Sequence, residues 1–174
     1  NLKHFLKTLA HTDNHVVSAD LSLYMTFSCA TTGGATVDLG ALSTAAAATG
    51  TDVCSVTTND GTGYTVDWRS QNTNASAGLY HASLAEELPV VAANALAINT
   101  DQFATFVTAA HADLDVATYT FNGATSLGLI TSSFQAIGDA DDAATTAETF
   151  TANYHANVDG ATSSGNYSTT IYFQ

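Results

Sequence analysis

The chain has 174 residues, long enough for one well-packed domain and short for two. Three basic residues against sixteen acidic ones leave a net charge of −13, which excludes nucleic acid and anionic lipid as partners, because binding phosphate needs clustered Lys and Arg. The longest apolar stretch, residues 88–98, is interrupted by Pro89 and Asn94 and is too short to span a bilayer.

Residues 1–19 stand apart as an N-terminal arm. Leu2, Phe5, Leu6 and Leu9 recur at helical spacing, and Lys3 and Lys7 lie four apart beside them. No apolar run of signal-peptide length occurs here, so a mature, soluble product is expected. A lone helix of this length is marginal in water. The arm is therefore expected to lie against a neighbouring copy, either as a docked helix or as an added strand starting near Val16 and Val17.

Residues 20–174 form the body, where alternation of period two dominates, the mark of half-buried antiparallel strands. Leu21, Leu23, Met25, Phe27 and Cys29 face one way, with Ser22, Tyr24, Thr26 and Ser28 opposite. Residues 37–42 make a second short strand ending in a kink at Gly40. Cys54, Val56 and Thr58 share a face on the next strand, and residues 59–63 (Asn-Asp-Gly-Thr-Gly) are a strong turn signal. Tyr64, Val66 and Trp68 then alternate with Thr65, Asp67 and Arg69.

Two short helices are expected next. Ser83 with Glu86 forms a capping box cut off by Pro89, and Thr100 or Asp101 caps a segment whose Phe103, Phe106, Val107 and Ala110 line one face. Further strands are expected at 114–121 and 127–132. A closing hairpin joins the strand Phe150, Ala152, Tyr154, Ala156, Val158 through a Gly/Ser-rich turn to Tyr167, Thr169, Ile171 and Phe173. Roughly seven or eight strands with two helical insertions make a mainly β fold, a β-sandwich. Its expected core is Leu23, Met25, Phe27, Val56, Val66, Trp68, Tyr154, Val158 and Ile171.

Cys29 and Cys54 are an even count on inward-facing positions, which predicts a buried disulfide; the competing reading is a pair of free thiols in a cytosolic protein. Low charge with abundant Thr, Ser, Asn and Ala points first to an extracellular surface, and would also suit a salty habitat. Asn74 and Asn166 each open an acceptor sequon for glycosylation.

Chemistry-bearing patterns are sparse. His11 and His15 lie four apart without a carboxylate-histidine cluster to complete a metal site. Gly138, Asp139, Asp141 and Asp142 resemble part of a calcium loop but lack its twelve-position pattern and terminal Glu, so a solvated loop is the better reading. There is no G-x-S-x-G elbow and no phosphate-cradling glycine loop, and adjacent Glu86 and Glu87 point to different sides. No catalytic residue, metal or cofactor is expected.

Two segments carry a resemblance. Residues 37–42 (V-D-L-G-A-L) followed by residues 56–65 (V-T-T-N-D-G-T-G-Y-T) resemble a recurrent pattern in secreted bacterial surface domains of immunoglobulin-like type. Residues 154–158 and 164–171 look like the closing hairpin of those domains, and are similar to the last strand of spore-coat-U-type subunits of chaperone–usher pili. The resemblance implies an immunoglobulin-like antiparallel sandwich and a non-enzymatic structural subunit of an extracellular pilus-like filament or surface layer. Its partners would be copies of itself, and the arm would be the assembly element. The alternative is a cell-surface adhesin or carbohydrate-binding module that takes cell-surface glycans on Trp68, Tyr24, Tyr80 or Tyr172.

Overall fold

The computed structural model describes residues 21–31, 36–74, 76–91, 96–109 and 130–174, and these described residues hold no helix and nine strands. They are β1 (Met25–Thr31), β2 (Ala48–Thr58), β3 (Tyr64–Ser70), β4 (Leu79–His81), β5 (Glu86–Leu88), β6 (Gln102–Ala109), β7 (Gln135–Ala140), β8 (Glu148–Asn157) and β9 (Ile171–Phe173). All their pairings are antiparallel. The sheet orders are β1-β2-β8-β6, β7-β3-β9 and a small β4-β5 ribbon.

The two larger sheets meet face to face through aromatic side chains. Phe27 of β1 and Phe150 of β8 approach Phe173 of β9 with ring centroids 5.8 and 6.1 Å apart, and Trp68 of β3 lies fully buried beside Phe173. Val56, Val66, Phe103, Ile137 and Tyr154 complete this core. A buried hydrogen bond of 2.6 Å from the Tyr64 hydroxyl to Glu148 ties one sheet to the other.

Alternation is realised where both sheets contribute cover. On β2 the residues Asp52, Cys54, Val56 and Thr58 point inward, and on β3 Tyr64, Val66, Trp68 and Ser70 do so. Cys29 and Cys54 are register partners on adjacent strands and are disulfide-bonded, with Cα atoms 3.9 Å apart. The turn between β2 and β3 is built as its residues demand. The Asp60 carboxylate accepts from the Thr62 amide and hydroxyl, and Gly63 sits at φ 82°, where an added Cβ would fall 1.7 Å from the Ala140 carbonyl oxygen.

Several expectations are corrected. The capping box at Ser83 and Glu86 is instead the turn between β4 and β5, because the Glu86 carboxylate is taken by Ser163 and Tyr167 and does not close on its own backbone. The segment after Asp101 is β6: Phe103, Ala104, Thr105, Phe106 and Val107 are buried in succession, and a run covered on both faces carries no period that separates strand from helix. Asp101 accepts hydrogen bonds from the Asp159 amide and the Thr162 hydroxyl.

Residues 36–42 do not form a strand; Gly40 takes φ 70° with its amide on Asp38, and Val37 and Leu39 lie over Gly50 of β2. The closing hairpin is not one either, since β8 pairs with β2 and β6 while β9 pairs with β3 in the other sheet. Residues 130–132 are outside any strand, and the expected strand at 114–121, Ala110, residues 127–129 and the arm with Leu2, Lys3, Phe5, Leu6, Lys7, Leu9, Val16 and Val17 lie outside the described residues.

The core expectation splits by strand. Val56, Val66, Trp68, Tyr154 and Val158 are buried and Ile171 is half-buried, but Leu23, Met25 and Phe27 are 72%, 57% and 38% exposed.

Candidate functional site

Three places bring chemistry together. The first is the edge formed by β1. This strand pairs with β2 alone, and its outer edge has no backbone partner among the described residues. Residues 21–28 are exposed on both faces, yet they are held firmly. The Asn59 side chain accepts from the Tyr24 amide (2.8 Å) and donates to the Ser22 carbonyl (3.0 Å), while the Thr58 hydroxyl donates to the Tyr24 carbonyl. Leu21, Leu23, Met25 and Phe27 thus stand in a row on an ordered backbone. Across the row Phe27 meets Phe173 of β9, whose own outer edge is also unpaired among the described residues. By contrast the outer edge of β6 is partly covered, since Phe103 exchanges backbone hydrogen bonds with residues 89–91.

The second place is a cavity of about 660 Å³ lined by residues 36–42 and 162–171 together with side chains of β2, β6, β8 and β9. Val37, Leu39, Phe103, Tyr154 and Phe173 supply its apolar surface, and Asp52 lies in the lining with them. Asp52 is only 9% exposed, and its Oδ1 has no hydrogen-bond partner among the described residues. Burial holds its carboxyl above the usual carboxylate range. The buried Tyr154 phenol is pushed up in turn, by burial first and by the Asp52 charge second. The Asp52 carboxylate also lies within 4.8 Å of the Cys29 and Cys54 sulfurs, but these are bonded to each other, so no thiolate is left to ligate a metal.

The third place is a polar network around residues 159–167. Glu86 accepts from the Ser163 and Tyr167 hydroxyls, both at 2.6 Å, and those bonds lower its carboxyl while burial and Glu86 push the Tyr167 phenol up to about 12. Asp159 accepts from the Ala161 and Thr162 amides, which lowers its carboxyl too. Asp159 thus closes its own loop, and Glu86 of β5 ties that loop to the β4-β5 ribbon. Ser163 gives its proton to a carboxylate, and the His81 ring packs edge-on against Tyr167 while Nδ1 accepts from the Leu84 amide, so the serine and the histidine are not joined as nucleophile and base.

The other residues singled out in the sequence are dispersed. Asp139, Asp141 and Asp142 are exposed and form no three-ligand group among the described residues. His11 and His15 lie outside them. Asn74 and Asn166 are both exposed. Trp68 is fully buried and cannot serve as a stacking platform, whereas Tyr172 is exposed on the outer face of its sheet with the Arg69 guanidinium 4.4 Å from its ring centroid and 5.0 Å from that of Phe134. Asp52 was missed; its one signal is an acid at an inward position of the Asp52, Cys54, Val56, Thr58 alternation.

Fold and site together define a class: a disulfide-pinned, antiparallel β domain with two facing sheets. The disulfide fits an oxidising compartment, and among the described residues no helix is long and apolar enough to cross a membrane. No family model, curated protein or solved structure matches the chain.

Proposed function

We propose that the chain is a structural subunit of an extracellular pilus-like filament or surface layer, built on an immunoglobulin-like sandwich. The observation that carries this reading is the exposed apolar row leading into and along β1, beside an edge of β9 that is unpaired among the described residues. An exposed edge strand of this kind is a template for pairing with another chain, and a contact between different surfaces of successive copies propagates when its rotation does not close. The order β1-β2-β8-β6 supports the immunoglobulin-like assignment, because it matches the A-B-E-D sheet of that fold, with β3 and β9 paired as C and F. β7 departs from it, lying beside β3 but following β6 in the chain.

Electron microscopy of the purified chain tests the proposal. Filaments or sheets are expected from the full chain, and a variant lacking residues 1–15 should remain a folded, soluble monomer. Native-like filaments from the truncated chain would remove the arm from the mechanism, and a full chain that never assembles would overturn the reading.

A second reading, a glycan-binding adhesin, draws on Tyr172 and Phe134 flanking Arg69 on the outer face of the second sheet. Its platform has lost Trp68 to the core.

A further inference from the structure

We propose that the cavity over Asp52 is a binding site for a small organic cation, a primary or substituted ammonium carried on an apolar body. The cavity's volume, about 660 Å³, falls in the range that holds small-molecule ligands, roughly 300–1,000 Å³. Its walls match the two halves of such a molecule. Val37, Leu39, Phe103, Tyr154 and Phe173 give the lining apolar surface for the body of the ligand, and residues 162–170, rich in Ser and Thr, give it hydroxyl groups for the ammonium.

The decisive feature is Asp52. A carboxylate nine-tenths buried, with Oδ1 unpartnered among the described residues, is costly to leave uncompensated. It occupies an inward position of β2 where the pattern otherwise places Cys54 and Val56, so its burial is fixed by the strand and not by a chance rotamer. The protein supplies no counter-charge there from the described residues. Their one basic side chain outside the histidines, Arg69, stacks with Tyr172 and Phe134 on the outer face of the other sheet. A ligand ammonium would give Asp52 both its charge partner and its hydrogen-bond donor. The net charge of −13 favours the same sign of ligand, raising the local concentration of cations and repelling anions.

Phenethylammonium and its neutral isostere 2-phenylethanol, titrated into the full chain and followed by amide chemical shifts, test the site. The ammonium is expected to bind saturably, about tenfold or more tighter than the alcohol, with shifts centred on Val37, Leu39 and Phe173. Asp52→Asn should erase that preference, while Val53→Asn, on the outer face of the same strand, should leave it intact. Should Asp52→Asn not fold, Leu39→Trp, which fills the cavity from the irregular segment, should abolish binding with the β-sheet spectrum unchanged. Equal binding of ammonium and alcohol, an ammonium preference that survives Asp52→Asn, binding that survives Leu39→Trp, or no saturable binding at all would each overturn the proposal.

Discussion

β1 and β8 carry the same kind of sequence and meet opposite fates. Along β8 the inward residues Phe150, Ala152, Tyr154 and Ala156 are buried and their alternates Thr149, Thr151, Asn153 and His155 are half-buried. Along β1, Met25 and Phe27 are exposed, and so are their alternates Thr26 and Ser28. The difference lies in neighbours. β8 runs between β2 and β6 and faces the second sheet, whereas among the described residues β1 has one strand neighbour, with the short β9 meeting it at Phe27. Alternation states which residues share a face; whether anything covers that face is decided by strands distant in the chain.

Substitutions on the two strands sharpen this contrast. Phe150→Ala, at a site 1% exposed, should cost about 3–5 kcal/mol in urea unfolding, by loss of burial plus a cavity. Replacing both cysteines by serine removes a link spanning 25 residues and should cost about 3 kcal/mol. Hydrogen exchange should then accelerate over β1 before it does over β8, since among the described strands β1 is paired with β2 alone while β8 is paired on both edges. Met25→Ala should change stability by no more than about 0.5 kcal/mol, as for other surface substitutions. A cost for Met25→Ala near that of Phe150→Ala in dilute, monomeric protein would break the comparison, because it would mean that the chain itself covers the β1 face.

The same division explains what was legible in the sequence. The disulfide, the 59–63 turn and the inward faces of β2, β3 and β8 followed from residue type and period, and those are local properties. The helix expected over β6 failed because a strand buried on both faces loses its period. The Ser83 capping box failed because a distant partner, the loop carrying Ser163 and Tyr167, competes for Glu86. The terminal hairpin failed for a topological reason: the loop between β8 and β9 crosses from one sheet to the other, and turn residues alone do not reveal which strand the chain rejoins. Asp52 was legible only as an exception to the β2 pattern, and its role depends on a cavity lined from distant parts of the chain, by Val37 and Leu39 of one segment, Phe103 of β6 and Phe173 of β9.

Sedimentation velocity over a concentration series tests most directly whether the uncovered row on β1 is an assembly surface. The wild-type chain should shift to larger species as concentration rises, while the double variant Leu23→Glu, Met25→Glu should sediment as a monomer throughout with an unchanged melting temperature. A wild-type chain that remains monomeric at every concentration, or a double variant that assembles as the wild type does, would contradict the account.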